Sequence, residues 1–120
     1  MAISPAVVPP GKMKCRRVSF FIHPEQVNDV TTAIDTEVLP RFLALPHFLG
    51  LTALQSEVGS RTEMIVLSLW DDQLEDSESI SEAFRDRIQR ATGMTPERQA
   101  FDIVRMTMKG ADGDVCIELP

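Results

Sequence analysis

The stretch from Leu39 to Asp72 constrains the fold more than any other part of the chain, because it spells a helix exit, a strand, a turn and a second strand in one run. Pro46 has no N–H to donate inside a helix and biases Leu45 away from the α region, so the preceding helix is expected to stop there. A strand follows from about Phe48. Glu57-Val-Gly-Ser-Arg61 carries the glycine and polar residues of a hairpin turn. The run from Glu63 to Trp70 is apolar on both sides, with Ile65, Leu67 and Leu69 on one and Met64, Val66 and Trp70 on the other. Such a strand suits the middle of a sheet that is covered on each face.

The neighbouring segments supply the other elements. Over Lys14 to Ile22, Val18, Phe20 and Ile22 alternate with Cys15, Arg17, Ser19 and Phe21, the period-two pattern of a strand. The pattern leaves open which face meets the helices. His23-Pro24-Glu25 opens a helix, since proline suits a first turn and Glu25 complements its positive end. Val27, Val30, Ile34, Val38 and Leu39 then recur at helical spacing over roughly 24 to 39. Beyond the hairpin, Asp72 with Glu75 forms a capping pair, and Asp76 or Ser77 offers a competing start. Ile80, Phe84, Ile88 and Ala91 make an apolar stripe, Glu82, Arg85, Asp86 and Arg90 a solvated side, and Gly93 a stop. Glu78 and Glu82, four apart, read as a mildly repelling pair on that solvated side.

A last strand is expected from about Gln99 to Met108, then a turn at Gly110 to Asp114. Val115 to Leu119 reads either as a short fifth strand or as a tail. Residues 1–13, rich in proline and uncharged up to Gly11, read as a flexible or extended arm. The organisation is therefore an arm, one domain over 14–109, and a turn and tail over 110–120, the size of a single core.

The order strand, helix, strand, strand, helix, strand is the split βαβ (βαββαβ) arrangement of α+β ferredoxin-like domains, with an antiparallel sheet and both helices on one face. The other face is left bare, yet the third strand is apolar on both sides. A second copy of the chain, sheet against sheet, is the simplest cover, so a homodimer is expected.

Charge excludes some partners. Against 12 basic residues stand 18 acidic ones, a net charge of −6. Nucleic acid and anionic membrane surfaces, which demand clustered positive charge, are not expected partners. No apolar run reaches the roughly 18 residues of a membrane span, and Met1 to Lys14 lacks the basic start and unbroken apolar centre of a secretory leader. A cytoplasmic location is expected. Cys15 and Cys116 have no CxxC spacing and read as two reduced thiols, with an end-to-end disulfide as the weaker alternative. Two separated histidines and scattered carboxylates make no HxH or HExxH pattern, and no glycine-rich phosphate loop occurs, so neither metal nor other cofactor is expected.

Glu37-Val-Leu-Pro-Arg-Phe-Leu-Ala-Leu-Pro-His-Phe-Leu-Gly-Leu51 resembles the helix exit of antibiotic biosynthesis monooxygenase-like domains, where a Pro-x-Phe-x-Gly step enters the second strand. Leu-Ser-Leu-Trp-Asp71 is similar to the Trp-bearing end of their third strand. The resemblance covers roughly residues 15 to 108. It implies a dimeric α/β barrel in which each subunit holds a pocket between its sheet and its own helices. It also implies a choice among cofactor-free oxygenases of phenols or quinols, haem-degrading enzymes, and chains with no known activity. The haem-degrading members use a strand-one Asn and a helix-two Trp and His; strand one here has no Asn, and residues 73–93 have neither Trp nor His. Haem degradation is disfavoured. The quinol-type enzymes lean on pocket residues that include Tyr, and this chain has none.

The candidate site residues follow from these two lines. His23 closes strand one where a pocket mouth would lie, and a neutral imidazole there is a base for a phenol; the plain alternative is a surface histidine between strand and helix. Ser19, Phe21, Asn28, Trp70 and Arg105 are the residues that phase or resemblance aims at a substrate. Trp70 reads first as core. Arg105, expected mid-strand among Ile103, Val104 and Met106, would bind an anion or pair with Asp102 or a dimer-mate carboxylate. His47 reads as a solvent-exposed residue of the connecting loop. Two functions stay open: cofactor-independent oxidation of a small aromatic phenol or quinol, or a non-catalytic small-ligand-binding or assembly module on the same fold.

Overall fold

A computed structural model of the chain describes residues 6–7, 13–71, 74–109 and 115–118. Four strands form the main sheet: β1, Met13–Ile22; β2, Phe48–Val58; β3, Arg61–Asp71; and β4, Glu97–Asp102. They lie in the order β2-β3-β1-β4 with every neighbouring pair antiparallel. This is the expected split βαβ sheet. The two-residue turn between β2 and β3 has Gly59 at φ 64°, a backbone state open to glycine at little cost.

The first helical run is longer than its apolar spacing indicates. It comprises a 3-10 turn, Pro24–Gln26, the helix α1, Val27–Ala33, a π stretch, Ile34–Val38, and the helix α2, Leu39–Leu43. The Gln26 side chain accepts the His23 backbone N–H at 2.9 Å, which secures the start. The π stretch answers to Pro40. The Leu39 N–H reaches back to the Ile34 carbonyl, and the next residue has no N–H to offer, so one wide turn carries the run past the proline instead of ending it. The stop comes just before Pro46, as expected. The second run is a 3-10 turn, Leu74–Ser77, followed by α3, Glu78–Thr92. Asp72, one expected cap, lies outside the described residues; Ser77 precedes the helix, and its hydroxyl donates to the Leu74 carbonyl at 2.7 Å. Gly93 closes α3 at φ 76°, its N–H on the Gln89 carbonyl.

The core settles which sheet face meets the helices. Val18, Phe20 and Ile22 of β1 and Met64, Val66 and Trp70 of β3 are buried in one cluster with Val30, Ile34, Val38 and Phe42 of the first helical run and Ile80, Phe84 and Ile88 of α3. The opposite face presents Arg17, Ser19 and Phe21 beside Glu63, Ile65, Leu67 and Leu69, all only part-buried. One end of that face has a cover of its own: Met13 and Leu69 pack against Ile103 and Met106.

That contact breaks the last strand. An uninterrupted strand over Gln99 to Met108 was the expectation; the sheet instead loses the chain after Asp102. The Ile103 N–H bonds the Met13 carbonyl at 2.9 Å, Val104 is 88% exposed, and Thr107–Lys109 joins a separate small sheet. There it pairs antiparallel with Val115–Glu118, which in turn pairs in parallel with Ala6–Val7. Of the two readings of the C-terminal segment the strand is the one observed. The turn at 110–114 lies outside the described residues. No helix among the described residues is long and apolar enough to cross a membrane.

Candidate functional site

The resemblance implies a pocket between sheet and helices, and aromatic side chains fill much of that space. Trp70 is fully buried, with Phe42 edge-on at 5.0 Å and Phe48 at 5.3 Å between ring centres. Its indole N–H donates to the Ser68 hydroxyl at 2.8 Å. Phe20 and Phe84 meet edge-on at 5.9 Å on the other side of the core. Beside them lies a recess of about 20 Å³ between Val18, Val66, Val38, Phe42 and Phe84, with Arg16, Ser68 and Ser81 as its polar wall, and a wider groove of about 370 Å³ opens from Ile22 of β1 between α1 and α3. The recess holds about one water molecule.

Arg16 is the unusual member. It shares the inward face of β1 with Val18, Phe20 and Ile22 and is 6% exposed. A buried guanidinium requires a counter-charge, and Glu78 in the first turn of α3 supplies it by ion pair and hydrogen bond. The other oxygen of Glu78 is 3.3 Å from Arg98 of β4, which stands across the ladder from Val18. Burial pushes the Glu78 carboxyl up, but the hydrogen bonds and charges of Arg16 and Arg98 together hold it below the usual carboxylate range. Two cations thus share one anion at the edge of the recess. Arg16 Nε is buried and has no hydrogen-bond partner, so the recess retains one donor able to meet a water or a small anionic oxygen.

The expected site residues are placed as follows. His23 is exposed at the end of β1 and borders an open depression of about 150 Å³ together with Phe21, Arg61 and Met94. Ser19 and Phe21 lie on the sheet face away from the helices, and Asn28 is exposed on α1. Trp70 is core. Arg105 sits in the irregular link after β4 and is exposed, not mid-strand and not buried; the strand break that turns Ile103 and Met106 onto Met13 leaves it in solvent. Of the six, His23 and Phe21 share that depression, which has no lining residue in common with the recess at Arg16.

Sequence reasoning missed Arg16, Glu78 and Arg98. Arg16 was detectable from parity, since it falls on the same face as Val18, Phe20 and Ile22. Glu78 reads as solvated beside Glu82 because nothing local reveals an arginine 62 positions away. His47 is half-buried, and its carbonyl accepts the Asp71 N–H at 2.9 Å. Burial raises the Cys15 thiol above its ordinary value, and Cys15 is free. Among the described residues no three histidine, cysteine or carboxylate side chains gather as metal ligands do.

No family model and no curated protein matches the chain. Solved structures do. A protein from Nitrosomonas europaea, provisionally assigned as an antibiotic biosynthesis monooxygenase, superposes with a TM-score of 0.61 at 13% identity, covering 78% of this chain and 92% of that one. SnoaB of Streptomyces nogalater, a cofactor-independent oxygenase, gives 0.57 at 17% identity over 79% and 96%. The de novo designed protein Foldit4 gives 0.59 at 15% identity over 78% and 99%. The chain has the ferredoxin-like fold of the antibiotic biosynthesis monooxygenase-like structures. A designed protein has it too, so the fold does not bring a reaction with it.

Proposed function

We propose that the chain is a homodimeric, cytoplasmic barrel subunit that binds a small molecule without oxidising it. The observation that carries this reading is the small volume left beside the buried charge of Arg16. A substrate-sized pocket runs to several hundred cubic ångströms; the recess at Arg16 offers about 20 Å³, and the wider groove of about 370 Å³ between α1 and α3 is lined by no buried polar side chain. The aromatic side chains of Phe20, Phe42, Phe84 and Trp70 take the place a phenol or quinol would need. His23, the candidate base, is exposed and lies outside the recess at Arg16. The dimer rests on the apolar face of β3, where Leu67 and Ile65 have no helix over them and Leu54 and Phe101 nearby are 45% and 39% exposed.

A second reading, cofactor-independent oxidation of a phenol or quinol, has one observation in its favour. Arg16 brings a buried positive charge with an unused Nε donor to the recess, and a cation there would hold a phenolate oxygen. Dioxygen uptake separates the two readings. Purified protein mixed with electron-rich phenols and quinols is expected to show no uptake above the buffer rate. Uptake that falls roughly 100-fold in His23→Ala, the scale of a lost general base, would establish the oxygenase reading instead.

A further inference from the structure

A second concavity opens between the helices above the end of β1. Between α1 and α3 runs a groove of about 370 Å³, within the size range of small-molecule sites. Its floor is apolar, made by Ile22, Val30, Ala33, Ile88 and Ala91. The two alanines contribute only methyl groups, and α3 meets the first helical run at the π stretch rather than along α1, so the gap above the alanines stays open. The His23 depression continues it, since both share Ile22, Gln26, Ala91 and Thr92.

The polar wall has a definite charge. Glu37 and Arg87 close one end as an ion pair at 2.9 Å, so they cancel. Asp29, exposed on α1 and part of the same lining, has no ion-pair or hydrogen-bond partner for its carboxylate among the described residues. Gln26 uses its carbonyl oxygen on the His23 N–H and leaves its amide donors unengaged. An apolar floor with one unpaired carboxylate above it selects a compact apolar body bearing a positive charge, because the carboxylate attracts a cation and repels an anion.

We propose that the groove between α1 and α3 binds a small molecule with an apolar, ring-sized body and a protonated amine, the amine recognised by Asp29. This rests on the ligand-binding reading above and names the ligand class that reading leaves open. The groove shares no lining residue with the recess at Arg16.

Three probes that share a ring and differ in charge test it on the full chain: 2-phenylethylamine, 2-phenylethanol and 3-phenylpropionate, each titrated while backbone amide shifts are followed by NMR. The amine is expected to give saturable shifts at Thr32, Ala33 and Ala91 and to bind roughly fivefold tighter than the alcohol, the scale of one exposed charge pair. Asp29→Asn should remove that preference without removing alcohol binding. Ala91→Phe should fill the groove and abolish both; Ala33→Leu does the same from the other helix should the first variant fail to fold. No saturable shift with the amine, equal binding of all three probes, or preference for the carboxylate with shifts centred on Arg61 would overturn the proposal. Dioxygen uptake by the wild type would overturn the preceding reading alone and leave the amine result to decide this one.

Discussion

Arg16 and Glu78 are unequal partners, with side chains 7% and 45% exposed, so breaking their contact from either side has different consequences. Glu78→Gln leaves a buried guanidinium without its counter-charge, and is expected to destabilise the fold by about 3 kcal/mol. Arg16→Met leaves a half-exposed carboxylate that still has Arg98, and is expected to change stability by less than about 1 kcal/mol. Urea unfolding of the two variants measures the difference, and equal losses would mean that the pair acts as a surface contact. The same carboxylate sets a pH dependence. Its folded value lies below its unfolded one, so the stability it contributes is present above the usual carboxylate range and is lost as pH falls through the depressed folded value. Acid unfolding of the wild type should contain this loss, and Glu78→Gln should lack it.

At the scale of elements, the sequence was legible where one periodicity decided the outcome. Val18, Phe20 and Ile22 alternate, and so do Met64, Val66 and Trp70, which fixed β1 and β3 and placed Trp70 in the core. Gly59 marked the hairpin. Its φ of 64° is strained for any other residue, and a methyl group built there meets nothing within 4 Å, so Gly59→Ala is expected to cost about 1–2 kcal/mol through backbone strain alone. Thermal unfolding of that variant checks it; an unchanged midpoint would mean that the turn shifts to another type. The π stretch was not legible, because Val27, Val30, Ile34 and Val38 fit a plain helix and the wide turn arises from Pro40 acting on backbone hydrogen bonds. The strand break was not legible either. Ile103 to Met106 carries the residues of a strand, but packing on Met13 outcompetes the ladder, and Arg105 is exposed for that reason. The buried ion cluster needs contacts between residues far apart in the chain, which no local pattern encodes.

For the whole molecule, two surfaces of one sheet have different fates: the helices close one, and among the described residues the other is covered at its end by the contact of Ile103 and Met106 with Met13. Leu67 sits on that second face, across from Arg17 and Thr52. Leu67→Asp would bury a carboxylate at the centre of a sheet-against-sheet interface, so light scattering at micromolar concentration should report a dimer for the wild type and a monomer for the variant. A monomeric wild type would remove the dimer. The recess beside Arg16 is shut to an aromatic ring, and an NMR titration of the wild type with 1,4-hydroquinone, followed at the amides of Val18, Val66, Ser81 and Phe84 around it, tests this claim. Those signals are predicted to stay where they are up to saturation of the probe, and a saturable shift centred on them would contradict the claim.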